Sequence, residues 1–476
     1  MGQTPDGHGR LPADDPAHEH ILADSDVGGL LWRLSIPATV GMAVMATYNI
    51  VDTIFIGRGV GTLGIAGLAI CFPVQLVIMS LGHLVGMGSA SIISRALGAR
   101  DRERVHRALG NALTLILILS ASIMVLGHGF LDGLLRLFGA TEQILPYARA
   151  YMSTILWGAG FACYSMAHSN IIRAEGRATV AMTRMLIGAG VNMVLDPIFI
   201  FGLDMGIRGA AIATVIAQAC SAAFIAAYLA GGRSSLSMRL GDMRLSFPIV
   251  RETVAVGASS FARMAAGSVV MVVLNRSLGH YGGNLAIAAY GVIHRLVQFA
   301  FMPLMGFAQA LQPVAGFNYG AKRFQMVRHA MHVSGIRATV FAACTFVGFM
   351  VFARPLIGIF SRDQDLIRLA VPAMRTVVVA FPVLGIQTVG AALFQAFGRA
   401  RPALFLSLAR QMLFFIPLVL VLPTFLGLPG VFVAFPAADL LAGTIAIAMI
   451  LREFRRPEFA GTPRSPAPAE NSDDCA

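Results

Sequence analysis

Polar side chains with oxygen atoms recur within the long apolar segments of this sequence. Asp52, Asp196 and Asp439 are acidic, and Asn192 precedes Asp196 by one helical turn, which puts both on one helix face. Thr214 follows a short turn into the next apolar segment, where we expect it to reach a similar depth. An ionisable group at membrane depth is costly and marks a functional site by default. Asp52, Asn192, Asp196 and Thr214 form an all-oxygen set that suits Na⁺, or a carboxylate pair that shares a proton.

The sequence repeats itself at a constant interval of nearly half its length. The tripeptide Gly98–Arg100 returns as Gly320–Lys322, and Gly176–Ala178 returns at the same interval as Gly398–Ala400. This register predicts two lobes of one fold. Duplicated membrane proteins commonly place a substrate site between such lobes and rock one lobe against the other.

The acidic residues interrupt the repeat. The second half carries Leu274, Phe414 and Leu418 at the positions that correspond to Asp52, Asn192 and Asp196. A residue that the fold requires would appear in both halves. These polar residues appear only in the first half, which indicates that they have a functional role. Asp439 differs, because its counterpart near Gln218 is also polar, and this favours a packing role.

The composition indicates that lipid is the solvent of most of the chain. Hydrophobic residues make up 57% and charged residues only 13%, against about 25% charged residues in soluble domains. The net charge of +12 comes almost wholly from arginine, in short loops between apolar runs, so it indicates membrane orientation and no nucleic-acid partner. The five cysteines are scattered and show neither a disulfide nor a metal-binding pattern.

Twelve segments are long and apolar enough to cross a bilayer, which requires about 20 residues. They are 30–56, 64–94, 108–128, 147–172, 178–203, 209–230, 252–278, 285–316, 331–353, 366–394, 402–425 and 430–452, numbered spans 1 to 12. Alternate loops are basic, and this predicts that both termini are cytoplasmic.

The same pattern predicts the domain boundaries. We expect an N-lobe over 28–230 and a C-lobe over 252–452, joined by an arginine-rich linker at 231–251. The polar segments 1–27 and 453–476 are predicted to be disordered cytoplasmic tails.

Three runs of sequence resemble one known family. The runs YNIVDTIFIGRGVGTLGIAGLA, NMVLDPIFIFGLDMGIRGAAIATVIAQ and PLMGFAQALQPVAGFNYGAK are similar to the multidrug and toxic compound extrusion (MATE) family of cation-coupled exporters, in its bacterial multidrug branch. The resemblance covers about residues 28–452. It implies an all-α membrane protein with twelve transmembrane helices in two six-helix lobes around a V-shaped central cavity.

The resemblance also implies a function and a site. It implies export of cationic and amphipathic drugs and other toxic organic compounds across the bacterial inner membrane, by antiport with H⁺ or Na⁺. It assigns Asp52, Asn192, Asp196 and Thr214 to a cation site of the N-lobe. Some members use an acidic residue in span 7 for a C-lobe cation site, but Gly257 to Met271 contains neither Asp nor Glu. A second cation site is therefore not expected.

The cargo cavity is predicted where spans 1, 7 and 8 face each other. Methionine adapts its shape and suits promiscuous apolar sites, although a single methionine is commonly core filler. Arg295 is the best candidate for a charge that faces inward. The predicted cavity residues are Met42, Met45, Met264, Met271, Arg295, Met302 and Met305.

Two other function classes remain open at this point. A flippase for a lipid-linked precursor or another metabolite would need a cationic cavity, and arginines in the C-lobe spans keep this alternative open. An enzyme is not expected, because no nucleophile elbow or histidine metal motif is present, and the only lysine, Lys322, follows alanine and cannot form a phosphate-binding loop. Apart from Na⁺ at Asp52 and Asp196, we expect no metal and no cofactor, and we expect a monomer in the bilayer.

Overall fold

The protein is helical throughout the part of the chain that the structure describes. The computed structural model describes residues 21–22, 24, 26–232, 234, 236, 240–360 and 363–460. Its α-helices are α1 Val27–Gly59, α2 Thr62–Gly98, α3 Arg102–Gly129, α4 Leu131–Leu137, α5 Leu145–Ala174, α6 Ala178–Pro197, α7 Gly206–Ala230, α8 Phe247–Gly320, α9 Phe324–Gly358, α10 Gln364–Val377, α11 Phe381–Ala396, α12 Ala400–Leu408, α13 Ile416–Leu426, α14 Leu428–Phe454 and α15 Pro457–Ala460. Short π-helical segments, Ile198–Gly202 and Ala409–Phe415, follow α6 and α12.

These helices make twelve crossings. Within the described ranges, nine helical segments are long and apolar enough to span a membrane, and α10 with α11, bent by 51°, makes a tenth. At 1.5 Å per residue the 74 residues of α8 would extend about 110 Å, far beyond a bilayer core of about 30 Å. It contains two crossings, because Gly283 interrupts it with φ 63° and ψ −161°. The less apolar α5, with 30 residues, is the remaining crossing.

The internal repeat is visible in the backbone. Arg100 and Lys322, which occupy equivalent positions in the repeat, both adopt the left-handed conformation, with φ of 57° and 58°. Gly176 and Gly398 show the same correspondence, with φ of 87° and 72°. Non-glycine residues rarely adopt this conformation, so its recurrence at one register supports two copies of a common fold.

Two hydrophobic cores correspond to the two lobes, and α1 contributes to both. Leu30, Leu31 and Leu34, in the first turns of α1, pack into the core of the second half of the chain. Ile56, near the end of the same helix, packs into the core of the first half. The first span therefore links the lobes physically, which the predicted division into 28–230 and 252–452 did not anticipate.

The segment boundaries also differ from the predictions in three places. The helix α8 begins at Phe247, within the predicted linker 231–251. Parts of both predicted tails pack against the protein: Leu22 and Phe459 are each 2% exposed and lie in the C-lobe core. Residues 1–20 and 461–476 lie outside the described part.

The lobes meet along a line of glycines at the end of the molecule that carries the arginine-rich loops. A Cβ atom on Gly98 would lie 1.9 Å from the carbonyl oxygen of Phe317, and one on Gly320 would lie 2.0 Å from that of Arg95. These two contacts are related by the repeat. A Cβ atom on Gly257 would likewise lie 1.9 Å from the carbonyl oxygen of Leu84. Backbones approach this closely only where no side chain intervenes.

Polar contacts reinforce this seam. Glu252, at the start of α8, accepts hydrogen bonds from Arg95 at 2.6 Å and from Arg104 at 2.7 Å. The hydroxyl of Ser91 in the N-lobe donates to the backbone carbonyl of Gln395 in the C-lobe at 2.5 Å. Within the C-lobe, the side-chain amide of Gln395 donates to Ser259 at 3.0 Å. The lobes are therefore closed at this end in the structure.

Replacing Gly98 with alanine should separate the lobes at the seam. The new methyl group would overlap the carbonyl oxygen of Phe317, and overpacking of this kind costs about 1–3 kcal/mol. We expect Gly98→Ala to lower the apparent unfolding temperature in detergent. We also expect it to speed thiol labelling of a cysteine placed at the fully buried Ser94 in a background without the native cysteines.

Gly190→Ala is the matched control, because a Cβ atom at Gly190 would meet no atom within 4 Å. If Gly98→Ala and Gly190→Ala behaved alike in both measurements, the seam would not depend on the glycine contact.

Candidate functional site

Four polar side chains converge between α1, α6 and α7. The side-chain amide of Asn192 donates to Asp196 Oδ1 at 3.1 Å and to Thr214 Oγ1 at 3.3 Å. The carboxyl group of Asp52 lies close to that of Asp196. The structure thus brings together all four residues that the sequence singled out, while their role as cation ligands stays a prediction.

The site is closed off from its surroundings. Asp196 is fully buried and Asn192 is 1% exposed, whereas Asp52 and Thr214 are each 8% exposed. A carboxyl group in such a place loses its hydration and requires compensation from neighbouring groups.

Local backbone features position each side chain. Asn192 and Asp196 lie one turn apart on α6, just before Pro197 ends the regular helix and the π-helical segment Ile198–Gly202 begins. The hydroxyl of Thr214 donates to the carbonyl of Ala210 at 3.0 Å, so its lone pairs point back toward Asn192. π-Helical segments of this kind are frequent at functional sites.

The site has more hydrogen-bond acceptors than donors. Asp52 Oδ1, Asn192 Oδ1 and Asp196 Oδ2 are buried, and no donor among the described residues reaches them. The amide of Asn192 is the donor that serves both Asp196 and Thr214. Several buried acceptors around one point, two of them on carboxyl groups, leave a place for a positively charged species.

Tyr48 also belongs to this site, and the sequence analysis missed it. It lies one turn before Asp52 on α1, and its phenol interacts electrostatically with both Asp52 and Asp196. The i, i+4 spacing of Tyr48 and Asp52 in the sequence was a signal that could have identified it.

The C-lobe contains a different arrangement in the corresponding spans. Arg410 Nε donates to Asp439 Oδ1 at 2.5 Å, and Asp439 is 3% exposed. This guanidinium is a permanent positive charge, so Asp439 is already neutralised by the protein. The structural role that the repeat favoured for Asp439 agrees with this contact, and Arg410 is its partner.

The predicted cavity residues lie on α1 and α8. All six methionines are half-buried and Arg295 is exposed. Met42 Sδ is 3.4 Å from the side-chain amide of Gln309, and Met305 Sδ is 3.8 Å from Arg263 Nη1. Met42 thus lies where α1 meets α8. The assignment of Met42, Met45, Met264, Met271, Arg295, Met302 and Met305 to a cargo cavity stays a prediction.

Comparison with known proteins identifies the family. The MatE family model matches residues 37–198 and again 260–421. Two matches to one model confirm that the chain consists of two related halves, with a register close to that read from the sequence.

Relatives match along nearly the full chain. The multidrug export protein MepA of Staphylococcus haemolyticus is 28% identical over 427 residues, which cover 90% of this chain and 94% of the relative. The same protein from Staphylococcus aureus is 27% identical over 431 residues, which cover 90% and 95% of the two chains.

Solved structures share the fold. An outward-facing multidrug resistance MATE transporter superposes with a TM-score of 0.87 at 28% identity, covering 92% of this chain and 97% of that one. The MATE multidrug transporter DinF-BH, solved in complex with a ligand, has a TM-score of 0.84 at 39% identity and covers 97% and 100% of the two chains. With the family model matched in both halves, and with multidrug exporters as relatives over nearly the whole length, the chain belongs to the MATE family of multidrug export transporters.

Proposed function

We propose that this protein is a secondary active exporter that moves amphipathic compounds, cationic drugs included, out of the cell in exchange for H⁺ or Na⁺. The cargo crosses the bacterial inner membrane without chemical conversion, and both termini lie in the cytoplasm. The observation that carries the proposal is the buried group of acceptors at Asp52, Asn192 and Asp196, which lack donors among the described residues.

Electrostatics explains why this group would bind a cation. Two neighbouring buried carboxyl groups strongly resist being ionised together unless a positive charge lies between or beside them. A proton shared by Asp52 and Asp196 meets this need, and so does Na⁺ held by their oxygens with those of Asn192 and Thr214. When the cation leaves, the carboxylates repel each other, and the packing of α1 against α6 changes.

The membrane potential can drive this exchange. One elementary charge that falls through about 100 mV releases about 2.3 kcal/mol, which supports a gradient of roughly 50-fold for a neutral cargo. No nucleotide-binding loop is needed for transport against such a gradient.

The helix α1 connects the cation site to the movement of the lobes. Asp52 and Tyr48 lie in its second half, at the cation site. Its first half packs into the C-lobe core, where Trp32 contacts Phe307 edge-on with a centroid separation of 5.5 Å. A change of packing around Asp52 therefore shifts a helix that both lobes share, and this supports coupling by rocking.

The closed seam supports an assignment of conformation. The loops beside it contain most of the arginines between spans, and such loops face the cytoplasm under the positive-inside rule. On this assignment the structure is closed toward the cytoplasm and corresponds to an outward-facing state, from which cargo leaves and cations enter.

Replacing Asp196 with asparagine should abolish coupling. The variant keeps the shape of the side chain and removes the negative charge on which the cation depends. We expect gradient-driven efflux from proteoliposomes to fall by about tenfold or more, since hydrogen bonds to charged groups contribute about 1.5–3 kcal/mol.

Asp204→Asn is the matched control for this measurement. It removes the same charge from the exposed turn that follows the π-helical segment of α6, and asparagine tolerates the left-handed conformation found there, with φ 50°. Asp204→Asn should transport normally. Undiminished efflux by a well-folded Asp196→Asn protein would rule out the proposed coupling site.

Thr214 can distinguish the two coupling ions. Its oxygen can be a ligand for Na⁺, but its hydroxyl group does not titrate near neutral pH and so cannot carry the transported proton. If Na⁺ is the coupling ion, Thr214→Ala should raise the Na⁺ concentration for half-maximal efflux about tenfold, because one oxygen ligand is lost. If H⁺ is the coupling ion, efflux should change less than about twofold. Thr214→Ser keeps the hydroxyl and should match the wild type in either case.

A further inference from the structure

A groove with two arginines opens at the end of the molecule opposite to the arginine-rich loops. It lies between the beginnings of α5 and α7 and has a volume of about 510 Å³, within the range of about 300–1,000 Å³ that is common for ligand sites. Its lining residues are Leu145, Pro146, Arg149, Ala150, Ser153 and Arg208. The groove is therefore a feature of the N-lobe surface and is separate from the cation site.

The two helices meet further along, and this contact sets the positions of the arginines. A Cβ atom on Gly158 of α5 would lie 2.6 Å from Cγ2 of Val215 on α7. Arg149 precedes Gly158 by nine residues and Arg208 precedes Val215 by seven, or about 13.5 and 10.5 Å at about 1.5 Å per residue. The two arginines thus reach a similar level, one from each helix.

Their positive charges are available to a ligand. No carboxylate among the described residues forms an ion pair with Arg208, although Asp204 precedes it by four residues. Arg149 Nε is 3.4 Å from Asp132 Oδ1, with side chains that are 64% and 45% exposed. Ion pairs this exposed contribute little, and a guanidinium has further N–H groups that can donate to an anion.

The backbone adds to this positive charge. The helices α5 and α7 begin at Leu145 and Gly206, beside the groove. The N-terminal end of a helix carries a partial positive charge. The groove is therefore electrostatically suited to an anion.

The internal repeat does not reproduce the two charges. Val371 corresponds to Arg149 at the interval of the repeat, and Pro429 corresponds to Arg208 at an interval shorter by one residue. A pair of arginines that the fold required would appear in both halves. Their presence in the first half alone favours a ligand-binding role.

An exposed apolar surface continues from the groove into the bilayer. Ser153 follows Arg149 by one turn of α5, and Trp157 follows Ser153 by one more. Trp157 is 66% exposed, and its ring lies 5.1 Å from that of His128. It is eight residues from Arg149, or about 12 Å along the helix axis. A ligand with its charge between the arginines thus finds a hydroxyl group next and an aromatic surface beyond it.

We propose that this groove binds the phosphate of an anionic phospholipid, whose acyl chains lie along α5 at Trp157. Guanidinium groups bind phosphate oxygens with strong, paired hydrogen bonds. A phospholipid presents its phosphate, ester oxygens and hydrocarbon in the order in which α5 presents Arg149, Ser153 and Trp157. Under the orientation proposed above, the lipid belongs to the outer leaflet of the membrane.

The bound phosphate connects the beginnings of two N-lobe helices. Arg208 precedes Thr214 by six residues on α7, or about 9 Å along the helix. The lipid therefore steadies the end of the helix that carries Thr214 into the group around Asp196. Binding itself requires no gradient and no cargo, so it can be measured independently of the exporter proposal.

Lipids with brominated acyl chains test the inference, because bromine quenches tryptophan fluorescence at contact. The chain has two tryptophans, and Trp32→Phe leaves Trp157 as the reporter. The full-length variant is reconstituted in phosphatidylcholine with increasing fractions of brominated phosphatidylglycerol or brominated phosphatidylcholine. We expect half-maximal quenching at a fraction about 25-fold lower for phosphatidylglycerol, since each arginine near an anionic lipid contributes about fivefold.

Substitution of the arginines should remove this preference. Arg149→Gln and Arg208→Gln should each lower it about fivefold, and the double variant should be quenched alike by both lipids. If Trp32→Phe impairs folding, the difference in quenching between the wild type and Trp157→Phe gives the same readout.

Arg354→Gln is the matched control, because Arg354 is an exposed arginine near the end of α9 on the same side of the membrane. It should keep the full preference for phosphatidylglycerol. Equal quenching of the wild type by the two lipids would overturn the proposed site. So would a preference that persists in the double variant, since it would reflect general enrichment of anionic lipid around the protein.

Inorganic phosphate distinguishes a lipid from a free anion. Excess phosphate should relieve the quenching by brominated phosphatidylglycerol no more than sodium chloride of the same ionic strength, because the acyl chains hold the lipid at Trp157. Complete relief by phosphate alone would assign the groove to a free anion and contradict the lipid site.

Discussion

The structure depends on a surplus of hydrogen-bond acceptors in a place that water does not reach. The group contains more acceptor oxygens, from Asp52, Asn192 and Asp196, than the side-chain amide of Asn192 can donate hydrogen bonds to. In water this imbalance would cost little, whereas at membrane depth it requires a positive charge. Under the proposed exporter function, a cation is part of what holds α1 against α6 and α7, and its departure alters the position of a helix that both lobes share.

Much of this arrangement follows from the sequence. The constant interval of the repeat predicted two lobes, and the left-handed backbone of Arg100 and Lys322 bears this out. The group around Asp196 could be identified because its polar residues occur only in the first half. The spacing of one turn places Asn192 and Asp196 on the same helix face, and the lengths of the apolar segments indicate how deep each residue lies in the membrane. The approximate extent of the spans followed from length and composition, whereas the start of α8 at Phe247 and the bend between α10 and α11 did not.

The remaining features depend on contacts that no local pattern encodes. The sequence analysis took Arg295, which lies within span 8, as the best candidate among the arginines for a charge that faces inward. The structure leaves Arg295 exposed, whereas Arg263 on the same helix is partly buried and lies 3.8 Å from the sulfur of Met305. Likewise, Leu31 looks like one more apolar residue of the first span, yet it packs into the core of the opposite lobe. The contacts of Leu31 join residues from opposite halves of the chain, and one sequence offers no periodicity that would reveal them.

The ion pair of Arg410 and Asp439 makes the two halves of the fold unlike in charge balance. Asp52 and Asp196 in the first half each have a buried carboxyl oxygen that no donor among the described residues reaches, whereas Asp439 in the second half has a counter-charge on the side chain of Arg410. The buried carboxylate of the second half therefore needs no ion from solution. Replacing Arg410 would remove this counter-charge and leave the buried carboxyl group of Asp439 to be neutralised by a proton or an ion from solution. The two halves thus differ in the residues that stand in place of Asp52, Asn192 and Asp196, which are Leu274, Phe414 and Leu418, and also in how a buried carboxylate is balanced.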